Sequence, residues 1–86
     1  MNIEITNIHL NIIEADLRRL FTPFGEVTEV ELVRDKWNNR STGRALISMP
    51  VEKQAASAIL TLHGSVIEGK IIGVTMFHSS EESRNL

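Results

Sequence analysis

The order of hydrophobic periodicities is the feature that most constrains this chain. Residues 3–8 alternate apolar and polar, as a half-buried strand does, and 27–33 and 44–49 also place their side chains on two opposite faces. Residues 71–77, interrupted by Gly73, are predicted as the last strand. Apolar residues instead recur at helical spacing over 12–21 and 52–62. The resulting βαββαβ order predicts an α+β, ferredoxin-like sandwich, in which a four-stranded antiparallel sheet is backed by two helices on one face.

The predicted helices are bounded by local signals. Asn11 and Glu14 have the spacing of a capping pair at the start of the first helix. The buried side of that helix is predicted to consist of Ile13, Leu17, Leu20 and Phe21.

The second half of the chain has signals of the same kind. Pro50 ends the third strand, and Gly64 and Gly69 bracket a turn or short hairpin before the fourth. The apolar side of the second helix is predicted to be Ala55, Ala58, Ile59 and Leu62.

Composition limits the classes of function. The 86 residues fit one domain, predicted over 1–77, followed by a flexible polar tail over 78–86. The absence of cysteine excludes disulfides and thiolate metal sites and is typical of a reducing compartment. No signal peptide or membrane-spanning run is present, so we expect a cytoplasmic protein. The net charge of −2 means that any nucleic-acid binding requires a local basic patch.

No arrangement of side chains predicts catalysis. His9, His63 and His78 lie in predicted turns and the tail without metal-ligand spacing. The sequence has no Ser/His/Asp arrangement, phosphate-binding glycine loop or cofactor motif. We therefore expect a binding module, with no enzymatic activity, metal or cofactor.

Two strand motifs resemble those of the RNA recognition motif family. The first is Ile3-Glu4-Ile5-Thr6-Asn7-Ile8, and the second is Thr42-Gly43-Arg44-Ala45-Leu46-Ile47-Ser48-Met49. The turns Pro23-Phe24-Gly25 and Leu62-His63-Gly64 are similar to the family's connections, so the resemblance covers about residues 2–77. It implies the same fold and binding of single-stranded RNA. The short chain also looks like small bacterial proteins with a single motif.

The resemblance fails at the base-stacking positions. Family members carry aromatic rings where this chain has Glu4, Arg44 and Leu46. Strands one and three are central neighbours in this fold, so Glu4 and Arg44 are predicted to form a cross-strand ion pair. With Glu29 and Glu31, the exposed face would carry three acids and one base, which disfavours RNA.

The loop between the second and third strands offers a compensating patch. Trp37 lies there among three cations, which would suit a loop that grips nucleic acid. In the alternative, the loop is merely solvated and the tryptophan folds back on the sheet edge. The guanidinium of Arg44 could also stack on a base, and Phe77 is a remaining ring. The candidate RNA contacts are Arg34, Lys36, Trp37, Arg40, Arg44 and Phe77.

A second hypothesis concerns the apolar residues of the same face. Leu46, Val33 and Ile71, with Phe77 at the margin, are predicted to form an apolar strip for a protein partner or a second copy of the chain. The candidate contacts for RNA or protein on this face are Glu4, Thr6, Val33, Leu46, Ser48 and Ile71. We rank an atypical RNA-binding module first and a protein-interaction module, including a homodimer, second.

Overall fold

The computed structural model describes residues 1–77, and the tail predicted to be flexible, 78–86, lies outside the described residues. A short 3₁₀ turn, Thr22–Phe24, follows the first helix. The elements are β1 Asn2–Thr6, α1 Glu14–Phe21, β2 Glu29–Arg34, β3 Ser41–Ser48, α2 Glu52–Leu62, β4 Val66–Ile67, β5 Lys70–Ile71 and β6 Gly73–Met76. No helix within 1–77 has the length and apolar character needed to cross a membrane.

One antiparallel sheet has the strand order β2-β3-β1-β6, and β4 pairs with β5 in a separate hairpin. The order confirms the predicted fold class and the central position of the first and third strands. A turn or short hairpin was predicted between Gly64 and Gly69, and the observed hairpin extends beyond Gly69, which lies in its turn, to Ile71. The last strand is shorter than predicted, because Ile71 belongs to β5 of the hairpin and β6 begins at Gly73.

The core lies between the sheet and the two helices. Ile3, Ile5, Ala45 and Ile47 on the central strands are fully buried, each alternating with a residue on the opposite face. Phe21 of α1 is fully buried against them. Burial of a side chain of this size stabilises the fold by about 1.5–3 kcal/mol.

The start of α1 differs from the prediction. The N-cap is Ile13, whose backbone N–H donates to the Asp16 carboxylate at 3.1 Å, so Asn11 and Glu14 are not the capping pair. Ile12 is buried and Ile13 is about half exposed at 52%, the reverse of the predicted buried side. A turn closed by the Ile12 N–H and the His9 carbonyl at 3.0 Å turns Ile12 into the core before the helix begins.

A bulge sets the position of β3 beside β2. Val33 pairs with Arg44, but Arg34 pairs with Ser41, so Thr42 and Gly43 are extra residues on β3. Gly43 has φ +85°, and a Cβ there would lie 3.2 Å from the Ile8 carbonyl oxygen. A glycine is therefore required by both conformation and close packing.

We expect Gly43→Ala to destabilise the domain more than Gly64→Ala does. Both glycines have φ +85°, so each alanine has the same left-handed penalty of about 1 kcal/mol. Only the Cβ at position 43 is crowded, since no atom lies within 4 Å of one at Gly64. Crowding adds about 1 kcal/mol. Urea denaturation of both variants measures the difference, and equal losses would contradict the packing argument.

Candidate nucleic-acid interface

The sheet face opposite the helices, called the free face below, carries its side chains in rows across the strands. The middle row, fixed by direct pairing of neighbouring strands, is Glu31, Leu46, Glu4 and Thr75. The row on the side of the β2–β3 loop contains Val33 and Arg44. The row on the opposite side contains Glu29, Ser48 and Asn2, with Phe77 next to Asn2 through a backbone hydrogen bond of 2.8 Å.

An ion pair occupies the centre of the free face. The Arg44 Nε donates to the Glu4 carboxylate, as predicted from the sequence. The pair is diagonal, because the direct partner of Glu4 on β3 is Leu46. The Arg44 guanidinium carbon also lies 5.8 Å from the Phe77 ring centroid, a cation–π distance. Arg44 is therefore held from two sides where the family usually has a stacking ring.

The loop between β2 and β3, residues 35–40, is closed by its own hydrogen bonds. Asp35 accepts from the backbone N–H of Trp37 at 2.7 Å and of Asn38 at 3.3 Å through Oδ1. The Asp35 N–H donates to the Arg40 carbonyl at 2.7 Å, and the Asn39 N–H donates to the Asp35 carbonyl at 2.7 Å. A short polar side chain that bonds the backbone two residues on is a typical device for fixing a turn.

Trp37 points away from the domain at the tip of this loop. Its exposed fraction is 87%, so the alternative in which the tryptophan folds back on the sheet edge is wrong. The Lys36 Nζ lies 5.6 Å from the indole centroid, and Arg40 is exposed on the same loop. The loop thus presents one ring and two cations to solvent.

Arg34 is separate from that group. Its guanidinium donates to both carboxylate oxygens of Glu14 on α1 at 3.1 Å, which places it on the helix side of the sheet. The backbone N–H at the start of α1, and after it the Arg34 charge, lower the pKa of the Glu14 carboxyl despite partial burial. The structure therefore does not bring Arg34 together with the other three predicted loop residues.

The remaining predicted contacts divide between the free face and the hairpin. Val33, Leu46 and Ser48 are half-buried on the free face, and Thr6 is exposed at the end of β1. Ile71 is 63% exposed, but it lies on β5, outside the four-stranded sheet. The predicted apolar strip is therefore wrong at Ile71, because the chain turns into the hairpin there.

Two residues of the surface were missed by sequence reasoning. Asp35 fixes the loop, and its position two residues before Trp37 is a readable turn signal. Asn2 accepts from the Ser48 hydroxyl at 2.9 Å on the far row, which only the strand register reveals. Over residues 1–77, no group of three histidine, aspartate or glutamate side chains could hold a metal ion.

The family model of the RNA recognition motif matches residues 3–73. The chain belongs to the RNA recognition motif family. The match includes both central strands and the helices that cover them, so it agrees with the strand order and core of the structure.

Among curated proteins, the chain is similar to segments of longer relatives. It is 36% identical over 70 residues to the chloroplastic organelle RRM domain-containing protein 1 of Oryza sativa, covering 81% of this chain and 18% of that protein. It is 32% identical over 81 residues to polyadenylate-binding protein 6 of Arabidopsis thaliana, covering 94% of this chain and 15% of that protein. The chain thus spans a fifth or less of these two relatives, both of them plant proteins, and the resemblance to bacterial proteins stays a prediction.

Solved structures show the same fold. The crystal structure of RNA-binding protein PG1 matches with a TM-score of 0.89 and 29% identity, covering 92% of this chain and 95% of that one. The Sxl-lethal protein/RNA complex matches with a TM-score of 0.83 and 26% identity, covering 88% of this chain and 47% of that one.

We expect Asp35→Ala to mobilise Trp37, whereas Asp35→Asn should not. Alanine removes the oxygen that accepts from the Trp37 and Asn38 N–H groups, while asparagine keeps a side-chain oxygen in that place. Trp37 is the one tryptophan in the sequence, so its fluorescence anisotropy reports on the loop directly. Lower anisotropy in both variants would show that the charge, and not the hydrogen bonds, holds the loop.

Proposed function

We propose that this domain binds single-stranded RNA through loop 35–40 and the adjoining part of the free face. The observation that carries the proposal is the exposed ring of Trp37, at 87%, held on a hydrogen-bonded loop beside Lys36 and Arg40. A base stacked on an aromatic side chain contributes about 1–3 kcal/mol, and neighbouring cations contact phosphates. The loop therefore supplies the two interactions that sequence-tolerant binding of a single strand requires.

The hydrogen bonds of the loop reduce the cost of binding. Asp35 holds the backbone at Trp37 before any ligand arrives, so less conformational entropy is lost when a base stacks on the indole. This rigidity compensates in part for the free face, where Glu4, Arg44 and Leu46 replace stacking rings. We expect weaker affinity than three rings would give, with strong dependence on salt.

Family membership supports the proposal. One structural relative is a complex with RNA, and the family's single-stranded ligands lie across the corresponding sheet face. We propose binding and not catalysis as the activity, in a reducing compartment such as the cytoplasm. Because the chain matches only a segment of these longer relatives, we propose for it the binding activity of one module and not the activity of a whole protein.

We expect Trp37→Ala combined with Arg40→Ala to weaken binding of a mixed-sequence RNA at least about tenfold, since one stacked base alone contributes about 1–3 kcal/mol. The plot of log affinity against log salt has a negative slope, and this slope should become shallower by about 0.7, because the variant without the Arg40 guanidinium neutralises one phosphate fewer. Fluorescence polarisation of labelled RNA at two salt concentrations measures both quantities.

The matched control is Lys53→Ala combined with Leu60→Ala on α2. It removes one cation and one apolar side chain, 83% exposed, from the helix side of the domain. That control, and Arg34→Ala, should bind RNA almost as the wild type does. A loss in Arg34→Ala equal to that of the loop variant would move the binding surface away from the loop.

A second candidate function is contact with a protein, including a second copy of the chain. It is favoured by Val33 and Leu46, half-buried apolar side chains at diagonal positions on the free face. If this face mediates a homodimer, Leu46→Glu should abolish the dimer in sedimentation velocity without unfolding the domain, because the side chain is not in the core. The melting temperature should fall only modestly, since the new carboxylate lies between Glu31 and Glu4. A monomeric wild type at high concentration would exclude self-association as the function.

A further inference from the structure

A shallow depression lies on the free face on the side away from loop 35–40. Its lining residues are Asn2, Glu29, Glu31, Leu46, Ser48 and Phe77. Of these residues, only Leu46 enters the proposed function. The depression combines an aromatic ring, an apolar side chain, an amide, a hydroxyl and two carboxylates, which is a mixture of stacking and hydrogen-bonding groups.

The apolar part of this lining suits a flat heterocycle. Leu46 is half-buried at the centre of the sheet, and Phe77 lines the same depression. Phe77 is held in place by its backbone N–H, which donates to the Asn2 carbonyl at 2.8 Å, and by the Arg44 cation 5.8 Å from its ring. A base lying against Leu46 and Phe77 would gain the contacts that base stacking on side chains provides.

The polar part of the lining is rich in acceptors. Glu29 and Glu31 are exposed, and the ion pairs within residues 1–77 involve Asp16, Glu14 and Glu4 instead of either of them. An ionised carboxylate only accepts hydrogen bonds, and it accepts most strongly when two donors lie side by side. The Ser48 hydroxyl already donates to Asn2 at 2.9 Å, so its remaining lone pairs also accept.

Bases differ in what they offer to such an edge. Guanine presents two adjacent donors on its Watson–Crick edge, the ring N1–H and the N2 amino group, which match one carboxylate in a bidentate fashion. Adenine and cytosine present one amino group next to a ring nitrogen acceptor. Uracil presents one N–H between two carbonyl oxygens, and a carboxylate repels these oxygens. A carboxylate-lined depression therefore selects guanine and disfavours uracil.

We infer that the depression between Phe77 and the carboxylates of Glu29 and Glu31 is a guanine-selective subsite of the RNA surface. The inference rests on the proposed function, since the subsite is occupied only if a strand lies on the free face. It also gives the two acids on that face a role: each repels phosphate but accepts hydrogen bonds from a base edge. Specificity and affinity then come from different ends of the same surface.

The test compares labelled seven-nucleotide RNAs by fluorescence polarisation. The central nucleotide of an oligouridine is replaced by guanosine, adenosine, cytidine or inosine, and inosine lacks only the N2 amino group of guanosine. We expect the guanosine RNA to bind about tenfold more tightly than the all-uridine RNA, the discrimination typical of a bidentate contact. The inosine RNA should lose most of that preference.

The protein variants are Glu31→Gln and Glu29→Gln, with Glu52→Gln on α2 as the control of equal charge change. Removal of a negative charge should raise the affinity of every RNA, so the measured quantity is the ratio of guanosine to uridine affinity. We expect that ratio to fall toward one in Glu31→Gln or Glu29→Gln and to remain unchanged in Glu52→Gln.

The outcomes separate the two proposals. RNA binding without a guanosine preference, or a preference that survives both glutamine variants, would overturn the subsite and leave the loop proposal standing. An absence of binding to all five RNAs even at low salt would overturn the proposed function and the subsite with it. A guanosine preference that one variant removes and the control keeps would support both.

Discussion

Burial of the central strands under the two helices is the constraint on which the rest of the structure depends. Ile3 and Ile5 of β1, with Ala45 and Ile47 of β3, are fully buried. Because successive strand residues point to opposite faces, these four positions fix Glu4, Arg44 and Leu46 on the free face whatever their chemistry. The fold therefore tolerates changes on the free face, where this chain carries the Glu4–Arg44 ion pair.

The fold was predictable wherever periodicity alone decides the structure. The α+β class, the bounds of the second helix, the central position of the first and third strands and the Glu4–Arg44 pair are confirmed. The third strand begins at Ser41, three residues before the predicted Arg44. The start of α1 was not predictable, because Asn11 and Asp16 both offer capping chemistry, and tertiary burial of Ile12 decides between them. Ile71 was misassigned for a related reason, since apolar residues run on from the hairpin into β6 and do not mark the turn between them.

The candidate site was less predictable than the fold, because its loop has no period. Asp35, two residues before Trp37, signals a turn, but no sequence pattern shows that the Trp37 ring stays in solvent. Arg34 is different. It lies two residues after Leu32 and four after Val30 on β2, so strand alternation alone predicts that its side chain is on the helix side. Arg34 was predicted to act with Lys36 and Arg40 because it is close to them in the sequence, but its side chain lies on the other side of the sheet.

Charge differs in sign between loop 35–40 and the acidic part of the free face, and Arg44 of the Glu4–Arg44 pair lies in the row on the loop side. Lys36 and Arg40 are on the loop side, and Glu29 and Glu31 line the opposite depression. A half-exposed ion pair contributes about 0–1 kcal/mol, which is less than the roughly 1–3 kcal/mol of one stacked base. If RNA binds this face as proposed, a base displaces Glu4 from Arg44 at small cost, so the pair is no barrier to binding. Under the two proposals above, phosphates would contact the loop cations while base edges would reach the carboxylates.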